Sequence, residues 1–329
     1  MLSMDSLPFW RMFLAGCGFE TVLSDPTNKK IIQAGLDSVV AEPCFPIIVA
    51  HGHVANLADK GTDYIFLPCI VSIETQWMHT ESHLCPWHQT LPFVCRRAPA
   101  LQQCAEKFVV PTIHFREGKG RVVKELQEYF ARGPLRRRLG VTARKVAWAA
   151  EAAFKVQDRF RARVLEAGRG TLERLDQAGA IGIVLIGRPY NVHDAAVNLS
   201  VAAKLRSYYG VNCIPQDFLE TEIEDIRDVH PGMYWNLGQR ILAAAKIVAR
   251  RANLHIIYIT NFKCGPDSFI KHFVRPASGK PFLTLQFDGH SNDAGMMTRC
   301  EAYLDSKGIL RPWRSEIQAQ APAPAKAGI

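Results

Sequence analysis

The chain of 329 residues is long enough for two domains, and 48% hydrophobic with 22% charged residues is typical of a globular protein. It has no apolar run approaching the roughly 20 residues of a membrane helix, and residues 1–13 lack the basic start and the small-residue cleavage site of a signal peptide. We therefore expect a cytoplasmic protein without a membrane span.

Residues 1–115 alternate short strand-like runs with helical patterns, which predicts an N-terminal lobe built on a parallel sheet with crossover helices. Helices are expected over residues 8–18, 28–36 and 45–60. Strands are expected over residues 20–23, 64–71 and 108–115, and the pair Val39-Val40 is also strand-like.

Residues 116–178 predict a basic helical connector, with helices over residues 121–133 and 142–168 that Gly133-Pro134 separates. Residues 116–176 hold 16 Lys and Arg against 8 Asp and Glu, so they carry +8 of the net charge of +9. We interpret this charge as a solvated helix face, the alternative being a docking surface for an acidic partner or a nucleotide-bearing substrate. Nucleic-acid binding is not favoured because the connector lacks a row of aromatic side chains for base stacking.

Residues 179–313 predict a second α/β lobe, followed by a disordered Ala/Pro tail over residues 314–329. Strands are expected over residues 181–186, 211–215, 254–262 and 282–287. Helices are expected over residues 195–209, 233–250, 267–274 and 293–305. The predicted fold class is thus α/β, with two Rossmann-like lobes of parallel sheet that the connector joins.

Three of the nine cysteines share a setting, because Cys44, Cys85 and Cys264 each stand just before a proline that starts a helical pattern. A thiol there faces the positive end of the helix dipole and unpaired backbone N–H groups, which predicts a lowered pKa and metal ligation or nucleophilic chemistry. Cys44 and Cys264 also follow strand-like segments, so we expect them in the crevice at the carboxyl ends of sheet strands.

The other six cysteines are predicted to be buried as small hydrophobic residues. They are Cys17, Cys69, Cys95, Cys104, Cys213 and Cys300. An odd number of cysteines at irregular spacing argues against a disulfide framework, and the lack of a CxxC pair argues against a zinc finger. Three thiolates from separate loops suit a cubane iron–sulfur cluster with one iron left open.

Several short motifs stand out along the chain. They are Leu23-Ser-Asp-Pro-Thr-Asn-Lys, Cys44-Phe-Pro with Ala50-His-Gly-His53, Tyr64-Ile-Phe-Leu-Pro68, Cys85-Pro, Gly187-Arg-Pro-Tyr-Asn191 and Thr260-Asn-Phe-Lys-Cys-Gly-Pro-Asp-Ser-Phe269. Together, over about residues 2–306, they resemble the 2-hydroxyacyl-CoA dehydratase superfamily, in particular the dehydratase-like region of large acyl-CoA dehydratase activase-related proteins. That family usually has a strand and a basic motif ahead of the residues that match Leu2-Ser-Met, so the resemblance implies that the first strand is missing here, and Asp288-Gly-His-Ser291 lacks the acidic residue expected before the histidine.

The resemblance implies that Cys44, Cys85 and Cys264 hold a [4Fe–4S] cluster, alone or as part of a larger one, that receives low-potential electrons from a separate ATP-hydrolysing activase. It implies acyl-CoA as a substrate of a dehydratase-like lyase, or a double-cubane-type reductase component, and a dimer is usual in that family. The alternative is a non-catalytic relay or regulatory module that docks on an activase. The chain has no P-loop motif, so the ATPase must be another protein.

His51, His53 and Arg188 are the candidates for catalytic roles. The two histidines follow Cys44 closely enough to donate a hydrogen bond or to move a proton, with helix packing as the alternative. Arg188 follows a predicted strand and could bind a phosphate or carboxylate, with a structural turn as the alternative. Asp267 is interpreted, together with Ser268, as a cap of the helix after Cys264.

Overall fold

The computed structural model describes residues 3–133 and 136–310, so the predicted tail over residues 314–329 lies outside the described residues. The described helices are α1 (Ser3–Cys17), α2 (Lys29–Ser38), α3 (Phe45–Asp59), α4 (Pro86–Arg97), α5 (Lys119–Gln127), α6 (Arg136–Leu139), α7 (Ala143–Gln177), α8 (Pro189–His193), α9 (Val201–Tyr209), α10 (Asn236–Ala249), α11 (Gly265–Ser278) and α12 (Asp293–Ser306). Among these, none combines the length and the apolar character needed to cross a membrane.

The predicted α/β class with parallel sheets is confirmed. In the N-terminal lobe, β1 (Ile65–Phe66) pairs with β3 (Phe108–Val109), and β2 (Cys69–Ser72) pairs with β4 (Thr112–His114). The single strands predicted over residues 64–71 and 108–115 are therefore each broken in two. Pro68 and Pro111 lie at the two breaks. A proline interrupts the pairing there because it has no N–H to donate to the neighbouring strand.

The strand prediction for residues 20–23 was wrong, as was the strand-like reading of Val39-Val40. Both segments are irregular, and Val22, Leu23 and Val40 are 47, 45 and 79% exposed. Without a neighbouring strand to bond, the β-branched composition of these residues does not produce a strand.

The helices of residues 116–178 pack directly into the N-terminal lobe. Its aromatic core holds Phe9 and Phe13 of α1 beside Phe130, which lies on a π-helical turn after α5. The first half of α7 lies on the same core through Val146 and Phe154. The division of the chain at residues 115/116 and 178/179 stays a prediction.

Helix α7 is longer than predicted, since it continues through Gly168 to Gln177 and spans about 52 Å at 1.5 Å per residue. Gly168 is part of the helix rather than its end. Its lack of a side chain lets the helix lie against the backbone of Phe218, which a Cβ at this position would meet. Beyond it, Leu172 and Leu175 are buried in the core of the second lobe.

The second lobe has one four-stranded parallel sheet in the order β6-β5-β7-β8. Its strands are β5 (Gly182–Gly187), β6 (Asn212–Pro215), β7 (Leu254–Asn261) and β8 (Leu283–Phe287). Buried residues of α10 and α11 cover one face of the sheet, and those of α9 and α12 cover the other. All four predicted strands of this lobe are confirmed, and the two central ones, β5 and β7, are buried along almost their whole length.

One helix of this lobe is shorter than predicted. The helix expected over residues 195–209 begins only at Val201, since Leu199 and Ser200 have left-handed φ values of 54° and 55°. Gly210 ends it as predicted, with a φ of 66°.

Candidate functional site

Cys44, Cys85 and Cys264 are the residues immediately before α3, α4 and α11, and each helix has a proline in its first turn. All three have extended backbone conformations and are 7, 8 and 8% exposed. The predicted placement of these thiols at helix N-termini is therefore observed. Cys264 follows β7 as expected, whereas no strand precedes Cys44.

The three thiols lie close enough to influence one another electrostatically. The Cys85 thiol acts on Cys44, and the Cys44 thiol acts on Cys264. Arg188, at the end of β5, interacts with all three. Two cysteines of the N-terminal lobe thus meet one cysteine and one arginine of the second lobe.

Arg188 is the largest fully buried side chain of the described residues, at 2% exposure. Its Nε donates a hydrogen bond of 2.8 Å to Oδ1 of Asp267, and Oδ2 of Asp267 accepts one of 2.6 Å from Thr260. Burial is the largest single influence on Arg188 and disfavours its charged form, but Asp267, Tyr190, Cys264 and Cys85 together outweigh it and raise the pKa well above its usual range. The Nη2 atom is buried and has no partner among the described residues.

The helix-capping interpretation of Asp267 was wrong. Cys264 is the residue that precedes α11, and the Asp267 carboxylate instead pairs with Arg188. The hydroxyl of Ser268 bonds back to the Cys264 carbonyl oxygen at 2.8 Å. Asp267 and Arg188 are 79 positions apart in the sequence, so no local pattern could have paired them.

The prediction of lowered thiol pKa values was also wrong for two of the cysteines. Burial raises the pKa of Cys44 to about 11, with a further contribution from Cys85, and burial followed by Asp267 raises that of Cys264 to about 12. Backbone N–H groups and Arg188 act in the predicted direction but do not outweigh desolvation. The thiols of Cys44 and Cys264 are therefore neutral until a cation or cluster binds them.

Several other buried polar groups of this region lack a partner within the described part of the chain. His51 bonds through Nδ1 to the Ile47 carbonyl oxygen at 2.9 Å, which leaves Nε2 unpaired. His88, three residues after Cys85, has an unpaired Nδ1, and both amide atoms of Asn191 are unpaired. Sequence reasoning missed His88 and Asn191, although both lie within three residues of a residue that it singled out.

His53 belongs to a different contact between the lobes. Its Nε2 lies 2.9 Å from Oγ1 of Thr27, which donates to Asp194 at 2.5 Å, and its Nδ1 lies 2.8 Å from Oγ of Ser24. Because Thr27 uses its proton for Asp194, it accepts from Nε2–H, and Nδ1 accepts from Ser24. Burial lowers the pKa of His53 to about 4, so this ring is neutral at neutral pH.

Five of the six remaining cysteines are buried as predicted, whereas Cys213 is only partly buried. No disulfide is formed among the described cysteines. Burial raises the pKa of Cys95 and of Cys213 to about 12. None of the six has the N-terminal helix position that Cys44, Cys85 and Cys264 share.

Within residues 3–133 and 136–310, no three His, Cys, Asp or Glu side chains are arranged to hold a single metal ion. The ligands of a four-iron cluster each bind a different iron, so they stand farther apart than the ligands of one ion. A cluster held by thiolates is anionic, and the unpaired Nη2 of Arg188 together with three helix N-termini offers the matching positive potential. The chemistry of the donor set thus fits such a cluster.

The comparisons with known proteins give one match. The family profile described as the CoA enzyme activase uncharacterised domain matches residues 1–219, which include Cys44, Cys85 and Arg188. No curated protein and no solved structure matches the chain. Since the matched residues make up two thirds of the sequence and contain most of the site, the chain belongs to the CoA enzyme activase uncharacterised domain family.

Proposed function

We propose that this protein holds an iron–sulfur cluster of the [4Fe–4S] type and accepts low-potential electrons from an ATP-hydrolysing activase, in support of acyl-CoA dehydration or a related reduction. The observation that carries the proposal is the meeting of Cys44, Cys85 and Cys264 around one buried arginine. Membership of a CoA enzyme activase family supports the choice of partner.

The charges around the three cysteines support an anionic ligand. Each cysteine occupies the position before a helix, where negative charge is favoured, and the backbone N–H groups of Ile47 and Asp267 interact with the thiols of Cys44 and Cys264. Arg188 adds a full positive charge that Asp267 offsets on the Nε side only, so Nη2 remains free to donate. Burial of the three side chains to 7–8% exposure keeps water from the sulfur atoms.

The histidines supply neutral donors or acceptors beside these charges. Burial lowers the pKa of His51, and burial lowers that of His88 to about 3, so neither adds a proton charge at neutral pH. Their unpaired ring nitrogens are available for a hydrogen bond to a bound group. A cluster held by three cysteines would supply one-electron chemistry and one iron open to a further ligand.

Anaerobic reconstitution with iron and sulfide tests the proposal. We expect the full chain to bind close to four irons with a reducible EPR signal, and the C44A, C85A and C264A variants to lose most of that iron. C69A and C213A are matched controls, since each removes a thiol from a strand of the same two lobes. A wild-type protein without iron after reconstitution, or equal iron in both sets of variants, would contradict the proposal.

The low exposure of the three thiols favours a second candidate, a relay or regulatory module without turnover of its own. An acyl thioester needs space beside the open iron, and the cysteines are at most 8% exposed. A groove of about 520 Å³ lies instead beside edge strand β6, and none of the three cysteines lines it. Incubation of the reduced protein with activase, ATP and acyl-CoA distinguishes the two candidate functions. Electron exchange with the activase and formation of product indicate an enzyme, and electron exchange without product indicates a relay module.

A further inference from the structure

Exposed aromatic side chains surround two of the three cysteines. Trp87 lies two positions after Cys85, and Phe262 and Phe269 bracket Cys264. These rings and that of Tyr234 are 37, 48, 44 and 45% exposed, respectively. We call Trp87, Tyr234, Phe262 and Phe269 the aromatic rim.

Two observations place the rim residues in one region. The Tyr234 ring packs on Trp235 at 4.5 Å between centroids, and Trp235 packs on Phe269 at 6.0 Å. The backbone N–H of His83, two positions before Cys85, donates to the Tyr234 carbonyl oxygen at 2.8 Å, which joins the segment before α4 to the second lobe. Trp87 and Phe269 thus lie near the starts of two helices whose first cysteines, Cys85 and Cys264, both interact with Arg188.

Positive charge lies farther along the same two helices, with Arg97 about 15 Å from Trp87 and Arg275 about 9 Å from Phe269 along the helix axes. Helix α4 carries Arg96 and Arg97 on its exposed side, and α11 carries exposed Arg275 and half-buried Lys271. The only acidic residue on these two fully described helices is Asp267, which is buried and paired. The surface thus combines large aromatic rings and arginines, the residue types that are enriched in the cores of protein interfaces.

We propose that the aromatic rim and the arginines of α4 and α11 form a docking surface for a partner protein that presents acidic residues around an apolar patch. A second copy of this chain fits poorly, because its own rim would bring like charges together. Nucleic acid fits less well, because large apolar rings rather than a dense row of cations dominate the surface. The inference rests on the proposed function in taking the activase as this partner.

The position of the rim suits that partner. A donor that docks on Trp87 and Phe269 stands next to the helix turns that begin at Cys85 and Cys264, so electrons have a short path to the cysteines. The exposed hydrophobic side chains are also concentrated here: of fifteen large ones in the described residues, these four lie in the rim and Phe93 and Val94 lie on α4.

Binding of the purified activase of the same organism, with Mg-ATP, tests the surface. We expect the double variant W87A/F269A to weaken binding by about tenfold or more. The charge reversal R97E/R275E should weaken it by a similar factor and reduce its salt dependence. The controls W148A and R163E change an exposed tryptophan and an exposed arginine on α7, and they should stay within about twofold of wild type.

Each contrary outcome is informative. Wild type that does not bind activase, or rim variants that bind like wild type, would overturn the docking surface. If the wild type is a dimer and the W87A/F269A variant is a monomer, the surface serves self-association instead. If the wild type binds a single-stranded oligonucleotide and the W87A/F269A variant does not, the surface serves nucleic-acid binding instead. Iron content measured on the same samples separates the two proposals, since an iron-free protein with rim-dependent binding refutes the cluster and keeps the surface.

Discussion

Replacing Asp267 by asparagine removes the negative charge that faces the buried Arg188 guanidinium while it changes the volume of the side chain very little. Arg188 and Asp267 are 2 and 1% exposed, and their hydrogen bond is 2.8 Å long. In D267N the guanidinium stays charged, because its pKa lies far above neutral pH, and it has neither water nor a carboxylate to stabilise it.

Loss of one partner of a buried ion pair costs about 3–5 kcal/mol. Asp267 also stands in the first turn of α11, where its charge adds about 0.3–1 kcal/mol through the helix dipole. We therefore expect D267N to lower the free energy of unfolding by about 3–5 kcal/mol, a large part of the roughly 5–15 kcal/mol typical of a domain. The double variant R188M/D267N removes both charges and should lose clearly less than D267N alone.

Urea unfolding of the metal-free protein, followed by tryptophan fluorescence in reducing buffer with a chelator, measures these differences. A double-mutant cycle with R188M gives the coupling energy of the pair. A loss below about 1 kcal/mol for D267N would refute the claim that Asp267 compensates a buried charge. The same conclusion would follow if the double variant lost the sum of the two single losses.

Three further predictions concern packing, a partly buried lysine and pH. Gly52→Ala should destabilise the protein by about 1–3 kcal/mol, because a Cβ would meet the Ile31 carbonyl oxygen, whereas Gly120→Ala on α5, with open space around it, should be neutral or stabilising in the same urea assay. Lys280→Met should cost about 2–3 kcal/mol, since the ammonium donates to three backbone carbonyls at 2.5–3.1 Å; an unchanged urea midpoint would contradict this. For His53, the folded pKa of about 4 lies below the unfolded value near 6.5, so the neutral ring stabilises the fold fully above pH 6.5, and this stabilisation is lost as the pH falls towards 4. The free energy of unfolding of H53Q should therefore fall less steeply with pH over that range than that of the wild type. Parallel plots of unfolding free energy against pH would contradict the lowered pKa of His53.

Local patterns predicted those parts of the fold that local forces determine. A proline in the first turn, followed by residues at helical spacing, favours a helix start through local geometry alone. Helices begin immediately after Cys44, Cys85 and Cys264, as this pattern predicts. The strands of the second lobe were also predictable, because short apolar runs that alternate with helical patterns are typical of a parallel sheet.

Features that depend on distant contacts were not predictable. Two prolines divide the apparent strands of the N-terminal lobe, but whether they break a strand or mark its edge depends on the neighbouring strand. The thiol pKa values follow burial, which the sequence does not show, rather than the helix N-terminus, which it does. Asp267 looked like a helix cap because its true partner, Arg188, follows β5 and is 79 positions away in the sequence.

The length of helix α7 also matters for the cysteine site, although none of the three cysteines lies on this helix. One unbroken helix is buried in the core of the N-terminal lobe through Val146 and Phe154 and in the core of the second lobe through Leu172 and Leu175. Helix α7 therefore joins the lobe of Cys44 and Cys85 to the lobe of Cys264, and direct contacts such as the hydrogen bond from His83 to the Tyr234 carbonyl oxygen join the same two lobes. A connection that is shared by two cores favours a site that is assembled once, during folding, over one that opens and closes with each electron.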